Sequence, residues 1–247
     1  MKNKNTNKVI EWVRDYLNSF GGKTKAVIGI SGGKDSSVCA AICVKAVGVD
    51  RVVGVLMPQG TQRDIDKSYE LVNFLGIKHY EINIGQACID LANEIKEKTS
   101  IDPKTNSVYY SNTPSRIRMT VLYGIAALIG DCRVVNTCNR SEDYIGYSTK
   151  YGDSAGDFSP LSNLTVREVI EIGEDLGLPE SLIYKVPEDG LSGKTDEDNL
   201  GFKYSELDEY ILNGVKPKDL NTLENIEKRH RNNLHKLLPM PSYKPEK

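Results

Sequence analysis

The sequence predicts an α/β fold, a single domain built on a twisted parallel sheet that is flanked by helices. Short apolar runs rich in β-branched residues alternate with segments of helical periodicity, and a glycine-rich loop joins the first such run to the helix after it. The 247 residues can bury one sizeable core, and a single parallel α/β domain is common at this length. We therefore expect one domain over residues 1–247.

The predicted elements follow one another as strand-loop-helix units after an amphipathic helix at residues 9–20, which Gly21 and Gly22 end. Strands are predicted at 26–30, 51–57, 79–84 and 133–137, and helices at 38–47, 64–75, 87–98, 115–129, 165–176 and 205–212. Polar loops are predicted at 99–114, 138–163 and 187–199. Residues 234–247 contain three prolines and are predicted to form a tail that is either held against the domain or disordered.

Composition narrows the classes of function. Lys and Arg total 32 against 34 for Asp and Glu, so the chain lacks the global basic excess of many nucleic-acid binders. It has no run of about 18 apolar residues and its N-terminus is polar, so we expect a cytoplasmic protein without a membrane or nucleic-acid partner. The five cysteines include no C-x-x-C pair, which argues against a disulfide framework or a zinc knuckle.

The strongest motif is GISGGKDSS at residues 29–37, between a predicted strand and a predicted helix. Backbone N–H groups of a glycine-rich turn at a helix N-terminus form an anion cradle. The alternative is a tight turn in which a Ser or Asp side chain caps the helix. Lys34 is followed by Asp35 rather than Ser or Thr, so this is not a Walker A loop. A carboxylate beside phosphates is repulsive unless a cation bridges them, so Asp35 predicts Mg²⁺.

The loop resembles the S-G-G-x-D-S fingerprint of the pyrophosphatase-loop ATPases, which split ATP between its α and β phosphates. Later segments resemble those of ammonia-dependent NAD synthetases, in order and across nearly the whole chain. They are MPQGTQRDIDKS (57–68), SRIRM (115–119), NTCNRSE (136–142), STKYGDSAGDFSPL (148–161), TDEDNLGFKYSELDEYI (195–211) and HKLLPMP (235–241). The resemblance implies an adenine nucleotide alpha hydrolase-like fold with ATP at the carboxyl ends of the strands.

Each matched position carries an implied role. ATP binding is implied for Gly29, Ile30, Ser31, Gly32, Gly33, Lys34, Asp35, Ser36, Thr137 and Thr195. Mg²⁺ ligation is implied for Asp35 and Glu142, and deamido-NAD binding for Arg116, Lys150, Asp157, His235 and Lys236. Asp35 and Asp153 are the implied catalytic residues, and Asp153 matches an acidic residue near the ammonia site.

Several of these residues have simpler interpretations. Arg116, at the predicted start of a helix, could be a solvated charge, although a cation at that end is not favoured by the helix dipole. Lys150 and Asp153 could be ordinary loop residues. His235 and Lys236 could belong to a disordered tail.

The sequence departs from the family pattern at two positions. Val166 stands where many members carry a lysine that contacts ATP, and the adjacent Arg167 would point elsewhere on a helix. The position of Ser148 is often aromatic in the family, which leaves the shape of the nicotinate pocket open.

The resemblance implies that the nicotinate carboxylate of deamido-NAD attacks the α phosphate of ATP and that ammonia then displaces AMP from the acyl adenylate. We expect free ammonia rather than glutamine, because no segment remains for a glutaminase domain. A homodimer is implied by the resemblance alone. Alternatives are another pyrophosphatase-loop amidotransferase, a tRNA-modifying adenylase, or a nucleotide sensor without catalysis.

The sequence suggests two experiments, a truncation and a substitution. Truncation at Asn233 should raise the KM for deamido-NAD if the tail closes over the substrate. Asp35→Asn should lower kcat and leave stability almost unchanged, because Asn caps helices about as well as Asp.

Overall fold

The computed structural model of the chain describes residues 1–185 and 195–245. Its strands are β1 (Lys25–Gly29), β2 (Val52–Leu56), β3 (Lys78–Glu81) and β4 (Cys132–Val135). Its helices are α1 (Thr6–Asn18), α2 (Lys34–Val47), α3 (Ile65–Leu75), α4 (Gly85–Thr99), α5 (Ser107–Ile129), α6 (Arg140–Ile145), α7 (Val166–Asp175), α8 (Glu180–Ile183), α9 (Asp196–Leu200), α10 (Tyr204–Asn213) and α11 (Leu220–Leu237). In the described residues no helix is both long and apolar enough to cross a membrane.

The four strands form one parallel sheet in the order β3-β2-β1-β4. Val27 of β1 aligns with Val53 of β2 on one side and with Val134 of β4 on the other. The chain therefore crosses to the opposite edge after β3, and the order reverses between β1 and β4. Parallel sheets bind ligands outside the carboxyl ends of their strands at such a reversal. The predicted α/β fold with a parallel sheet is confirmed.

Both faces of the sheet are buried, which explains why its strands are apolar runs rather than alternating ones. Ala26 and Ile28 of β1 pack with α1, α2, α3, α7 and α8. Val27, between them, faces the other side and packs with α5. A further apolar cluster joins the C-terminal helices to α6 and α7, and it includes Ile145, Val166, Leu200, Phe202, Tyr204, Leu207 and Ile226.

Helix α5 begins at Ser107, well before the predicted start at 115. The side chain of Asn106 caps it by accepting a hydrogen bond from the Tyr109 N–H at 3.0 Å. Pro114 lies inside the helix, where the missing N–H and the ring usually end one. Arg116 is consequently a mid-helix residue, and the dipole argument for its placement was wrong.

Three further stretches were predicted wrongly. Helix α6 lies within the predicted loop 138–163, and Asn139 caps it by accepting from the Glu142 N–H at 3.0 Å. Helix α11 extends to Leu237, so the predicted tail starts inside a helix. Its sequence is strongly polar, and among its residues only Ile226 is fully buried, so little periodicity marked it. Of the predicted loop 187–199, residues 196–199 belong to α9, and residues 187–194 lie outside the described residues.

Candidate active site

A cleft of about 1100 Å³ opens at the carboxyl edge of the sheet, where the loops after β1, β2 and β4 meet the side of α5. The loops after β1 and β4 are joined directly, because the Asn139 amide donates to Asp35 Oδ1 at 2.9 Å. The glycine loop, Thr137, Glu142 and Asp153 all line this cleft. Residues more than a hundred positions apart are thus gathered at the predicted edge.

The glycine loop leaves the start of α2 open. The N-cap of α2 is Gly33, and no side chain caps the helix in the part of the chain that the structure describes. The hydroxyls of Ser31 and Ser36 lie 3.0 Å apart, and Ser37 Oγ donates back to the Gly33 carbonyl at 2.7 Å. Gly32 has φ +72°, and a Cβ there would lie 2.7 Å from the Ser68 nitrogen. The capping alternative is wrong, and the first N–H groups of α2 are placed to bind an anion.

Lys34, Asp35 and Glu142 form a buried charge cluster beside this loop. The Lys34 ammonium donates to Asp35 Oδ2 at 2.8 Å and lies 3.8 Å from Glu142 Oε1. Its side chain is 6% exposed, and those of the two acids are 18% and 16% exposed. Tyr204 covers the lysine, with the ring centroid 5.8 Å from the ammonium nitrogen.

The cluster shifts the protonation of its members. Burial lowers the pKa of Lys34, but the neighbouring carboxylates of Asp35 and Glu142 outweigh burial and raise it overall. Burial and the Asp35 carboxylate raise the pKa of Glu142 to about 8, against the opposing effect of Lys34. The Glu142 carboxyl group therefore keeps its proton up to a higher pH than an exposed glutamate does.

The two acids suit a magnesium ion that arrives with phosphates. No group of three or more His, Cys, Asp and Glu side chains in the described ranges could hold a metal by itself. Mg²⁺ is usually bound through one or two carboxylates together with substrate phosphates, so a larger cluster is not required. A cation, the Lys34 ammonium, already lies within 3.8 Å of an oxygen of each acid.

Asp153 is held in a defined orientation at the wall of the cleft. Its Oδ1 accepts from Ser115 Oγ at 2.7 Å and from the Thr149 N–H at 2.8 Å, and its own N–H donates to Ser115 Oγ. The two hydrogen bonds with Ser115 attach the KYGD segment to α5. Burial raises the pKa of the adjacent Cys138 thiol well above its usual range, so that cysteine stays protonated and serves packing.

The five residues matched to deamido-NAD binding lie outside the large cleft. Asp157 and Lys236 line a second cleft of about 500 Å³, separated from the first by residues 152–157. Arg116 donates to the Lys150 carbonyl at 3.3 Å, and the Lys150 ammonium donates to the His235 carbonyl at 2.5 Å. Arg116, Lys150, His235 and Lys236 therefore adjoin one another around the last turn of α11. The Asp157 carboxylate instead accepts from the Val134 N–H at 2.7 Å and from the Tyr123 hydroxyl at 3.2 Å.

Three other positions are clear in the structure. Val166 is buried in the apolar cluster of the C-terminal helices, and Arg167 pairs with Glu209 at 2.6 Å on the surface, which confirms that Arg167 points elsewhere. Thr195 does not line the large cleft in the described residues, and its hydroxyl accepts from the Asp198 N–H at the start of α9. The next residue, Asp196, does line the large cleft together with the glycine loop, so the ATP contact of Thr195 stays a prediction.

Two residues of the site were not predicted. Asn139 joins the two loops, as described above, and Arg118 is largely buried in the cleft wall, where its Nε donates to the Met57 carbonyl at 3.0 Å. The NTCNRSE motif contains the signal for Asn139, since Asn three residues before Glu is an N-cap pattern. Arg118 follows Arg116 in the SRIRM motif, and helix phase alone could not say which arginine faces the cleft.

The chain matches the family model described as NAD synthase over residues 5–247. It is 35% identical to the NH(3)-dependent NAD(+) synthetase of Pyrococcus furiosus, over 96% of this chain and 94% of that protein. It is also similar to the solved NMN synthetase from Francisella tularensis, with a TM-score of 0.87 and 32% identity over 98% of both chains. For the NAD+ synthetase from Burkholderia pseudomallei the TM-score is 0.77 and the identity 26%, over 97% and 91% of the two chains.

Proposed function

The chain belongs to the NAD synthase family, and we propose that it amidates deamido-NAD with ammonia at the expense of ATP, giving NAD, AMP and pyrophosphate. It is a ligase that forms a carbon-nitrogen bond. The observation that carries this proposal is the uncapped glycine loop, opposite Glu142, in a chain that matches the family model from residue 5 to residue 247.

The first half of the reaction activates a poor electrophile. An oxygen of the nicotinate carboxylate attacks the α phosphorus of ATP, an O–P bond forms, and the bond to the β-phosphate oxygen breaks to release pyrophosphate. The N–H groups at the start of α2 are oriented before the reaction, so they stabilise negative charge on the phosphates without reorganisation. The protein's main contribution is to hold the carboxylate and the α phosphate in line.

In the second half, ammonia attacks the acyl carbon, the C–O bond to AMP breaks, and the nitrogen loses a proton. Asp153 is the proposed acid near the ammonia. Its carboxylate is fixed by Ser115 and Thr149 and lines the same cleft as the glycine loop, which supports that role. A fixed carboxylate there would orient an ammonium ion by charge-assisted hydrogen bonds.

Asp35 and Glu142 would hold Mg²⁺ together with the phosphates of ATP. When bound, the ion would neutralise charge on the departing pyrophosphate. Lys34 lies beside both carboxylates and the start of α2, so the loop carries a positive charge of its own. This charge would compensate for the family's ATP-contacting lysine, which is replaced here by the buried Val166.

For deamido-NAD we propose Arg116, Lys150, Asp157, His235 and Lys236 as contacts. The chain of hydrogen bonds from Arg116 through Lys150 to the end of α11 supports a shared site. Because His235 and Lys236 lie in the last turn of α11, the helix end rather than a loose tail would cover the substrate. Truncation after residue 233 should then raise the KM, whereas removal of residues 238–247 should not.

We propose a homodimer whose interface includes α4 and α5, and a cytoplasmic location. Support for the dimer comes from exposed apolar side chains on the two helices and on the connection between them, namely Ile89, Leu91, Ile101, Val108 and Leu128. Exposed apolar surface of this kind is typical of an interaction face.

A second candidate acceptor is the deamido mononucleotide. The similarity to a protein solved as an NMN synthetase, at a TM-score of 0.87, is the observation that favours it. Both acceptors carry the same nicotinate carboxylate, so the chemistry at the glycine loop is identical. They differ in the adenylate half, which the residues around the end of α11 would have to recognise.

The deciding experiment measures pyrophosphate release from ATP with ammonium and either acceptor. We expect release that requires both an acceptor and ammonium, with a higher kcat/KM for deamido-NAD than for the mononucleotide. The opposite preference would assign the second function. Pyrophosphate release when both acceptors are left out would favour another pyrophosphatase-loop enzyme. Binding of ATP without any pyrophosphate release would indicate a sensor.

A further inference from the structure

Lys34 occupies the variable position of the S-G-G-x-D-S fingerprint and is nevertheless buried. It is the first residue of α2, where the helix dipole opposes a positive charge, and burial of an ammonium is costly. Its compensation includes the Asp35 carboxylate at 2.8 Å, Glu142 at 3.8 Å and the face of the Tyr204 ring. The Asp196 carboxylate, which lines the same cleft, adds a further negative charge near the ammonium. The fold of the loop without bound phosphate does not require a lysine at this position. A functional reason for the buried ammonium is therefore sought in ligand binding.

The oxygens that hold the ammonium are those proposed for Mg²⁺. A divalent ion bound to them would lie beside the ammonium, and at such distances two like charges repel strongly in a partly buried site. The lysine would have to leave Asp35, and the Tyr204 ring lies 5.8 Å from its ammonium. The metal itself brings no negative charge for the displaced ammonium, and Asp196, the remaining carboxylate close to it, already acts on it in the metal-free protein.

ATP changes this balance, because its phosphates bring negative charge to the start of α2. An ammonium released from Asp35 can then pair with a phosphate oxygen, and Asp35 and Glu142 would be free to hold the metal. Lys34 lines the cleft that contains the glycine loop, so a change of its side-chain conformation can bring the ammonium to a phosphate bound there.

We propose that Lys34 is the internal counter-ion of the metal-free site: it excludes a divalent cation from Asp35 and Glu142 in the free protein and transfers to the phosphates when the metal arrives with ATP. Lys34 is thus a positioning residue that couples metal binding to nucleotide binding. The proposal rests on ATP binding in this cleft, as proposed above, and is independent of which acceptor is amidated.

The test uses Mn²⁺ as an oxygen-seeking probe, with its unbound fraction measured by electron paramagnetic resonance. Wild type, Lys34→Gln and the near-isosteric Lys34→Met are titrated with Mn²⁺ alone, and again with α,β-methylene ATP, which cannot release pyrophosphate. Lys96→Gln, a change in a surface pair with Asp102, is the matched control. No acceptor is present, so an error in the proposed acceptor would not affect the result.

Loss of the ammonium should change the two affinities in opposite directions. The variants should bind Mn²⁺ alone at least about tenfold more tightly than wild type, and Mn²⁺ with the analogue about tenfold more weakly. A residue that merely supports the loop would weaken both, and that result would overturn the proposal. If neither variant folds, wild type decides: Mn²⁺ affinity that is equal with and without the analogue would also overturn it.

Discussion

At the scale of single residues, the charged side chains beside the glycine loop decide the properties of the active site. Lys34, Asp35 and Glu142 lie together on the wall of the cleft, and Asp196 acts on Lys34 and Glu142 from the same cleft. One ammonium therefore faces an excess of carboxyl groups, which favours a protonated Glu142 or the binding of a further cation. The Asn139 amide fixes the second oxygen of Asp35 and so orients the carboxylate. The loss of any one of these side chains should therefore disturb the others.

Asp35→Asn should lower kcat by on the order of a hundredfold, about 3 kcal/mol, because charge compensation on the departing pyrophosphate is lost. The structure changes the expectation for stability. Asp35 is not the helix cap, and its loss leaves the Lys34 ammonium buried with a weaker partner, so unfolding free energy should fall by about 1–3 kcal/mol. Steady-state kinetics and thermal unfolding test this, with the surface change Glu94→Gln as control. Unaltered Mg²⁺ dependence of turnover would contradict the assignment.

Metal-nucleotide binding should release nearly one proton at pH 7. Glu142 has a pKa raised to about 8, so it is mostly protonated in the free protein, whereas a metal ligand must be ionised. The release should therefore decline as the pH rises above 8. Calorimetric titration of Mg²⁺ and α,β-methylene ATP in buffers of different ionisation enthalpy measures it. Glu142→Gln should release almost none, and equal release from the variant would exclude Glu142 as the source.

At the scale of elements, α11 holds α6 in place. The Nδ1 atom of His230 lies 2.7 Å from the Tyr144 carbonyl oxygen, the Asn233 amide donates to the Ile145 carbonyl, and the Lys236 ammonium donates to the Gly146 and Ser148 carbonyls. The unpaired carbonyls at the end of α6 are thereby satisfied. Since α6 carries Glu142, helix α11 also positions the proposed metal ligand.

Gly146→Ala should disrupt this contact. Gly146 has φ +65°, and an added Cβ would lie 2.0 Å from the Cβ of Asn233. We expect a loss of about 2–4 kcal/mol in unfolding free energy, combining a left-handed backbone and overpacking. Gly214→Ala is the matched control, because its φ is +67° with no atom within 4 Å of an added Cβ. It should lose only about 1–2 kcal/mol. Unfolding free energies that fall equally in the two variants would mean that α11 moves away from the added methyl group without loss of stability.

Sequence periodicity identified the helices that pack on the sheet and also α10, but it missed α6 and α11. Helix α11 is polar on most of its surface, and α6 is a short helix, so neither shows an apolar stripe long enough to be recognised. Pro114 predicted a break that capping by Asn106 and the packing of α5 on the sheet override.

At the scale of the whole molecule, helices α4 and α5 expose apolar side chains to solvent. Leu128 is 85% exposed near the end of α5, and Val108 is 62% exposed at its start. In the proposed dimer, a second copy of the chain would bury both side chains.

Leu128→Glu should dissociate the dimer, because a carboxylate at an apolar interface is costly. A penalty of roughly 3 kcal/mol would raise the dissociation constant by at least about a hundredfold. Analytical ultracentrifugation over a concentration series measures this. Leu220→Glu, a change at a residue 77% exposed at the start of α11, should leave the dimer intact. A wild-type chain that sediments as a monomer would contradict the proposal outright.

The sequence by itself determined the parallel α/β architecture, the phosphate loop and the order of the motifs, because these depend on contiguous residues: buried strands must be apolar, and a close-approach turn needs glycine. Only the tertiary structure decided which distant groups meet. The Lys34 and Glu142 pair, the Asn139 bridge to Asp35 and the seat of α11 on Gly146 join segments about 90 to 110 residues apart. Such contacts follow from how helices pack, which no local pattern contains.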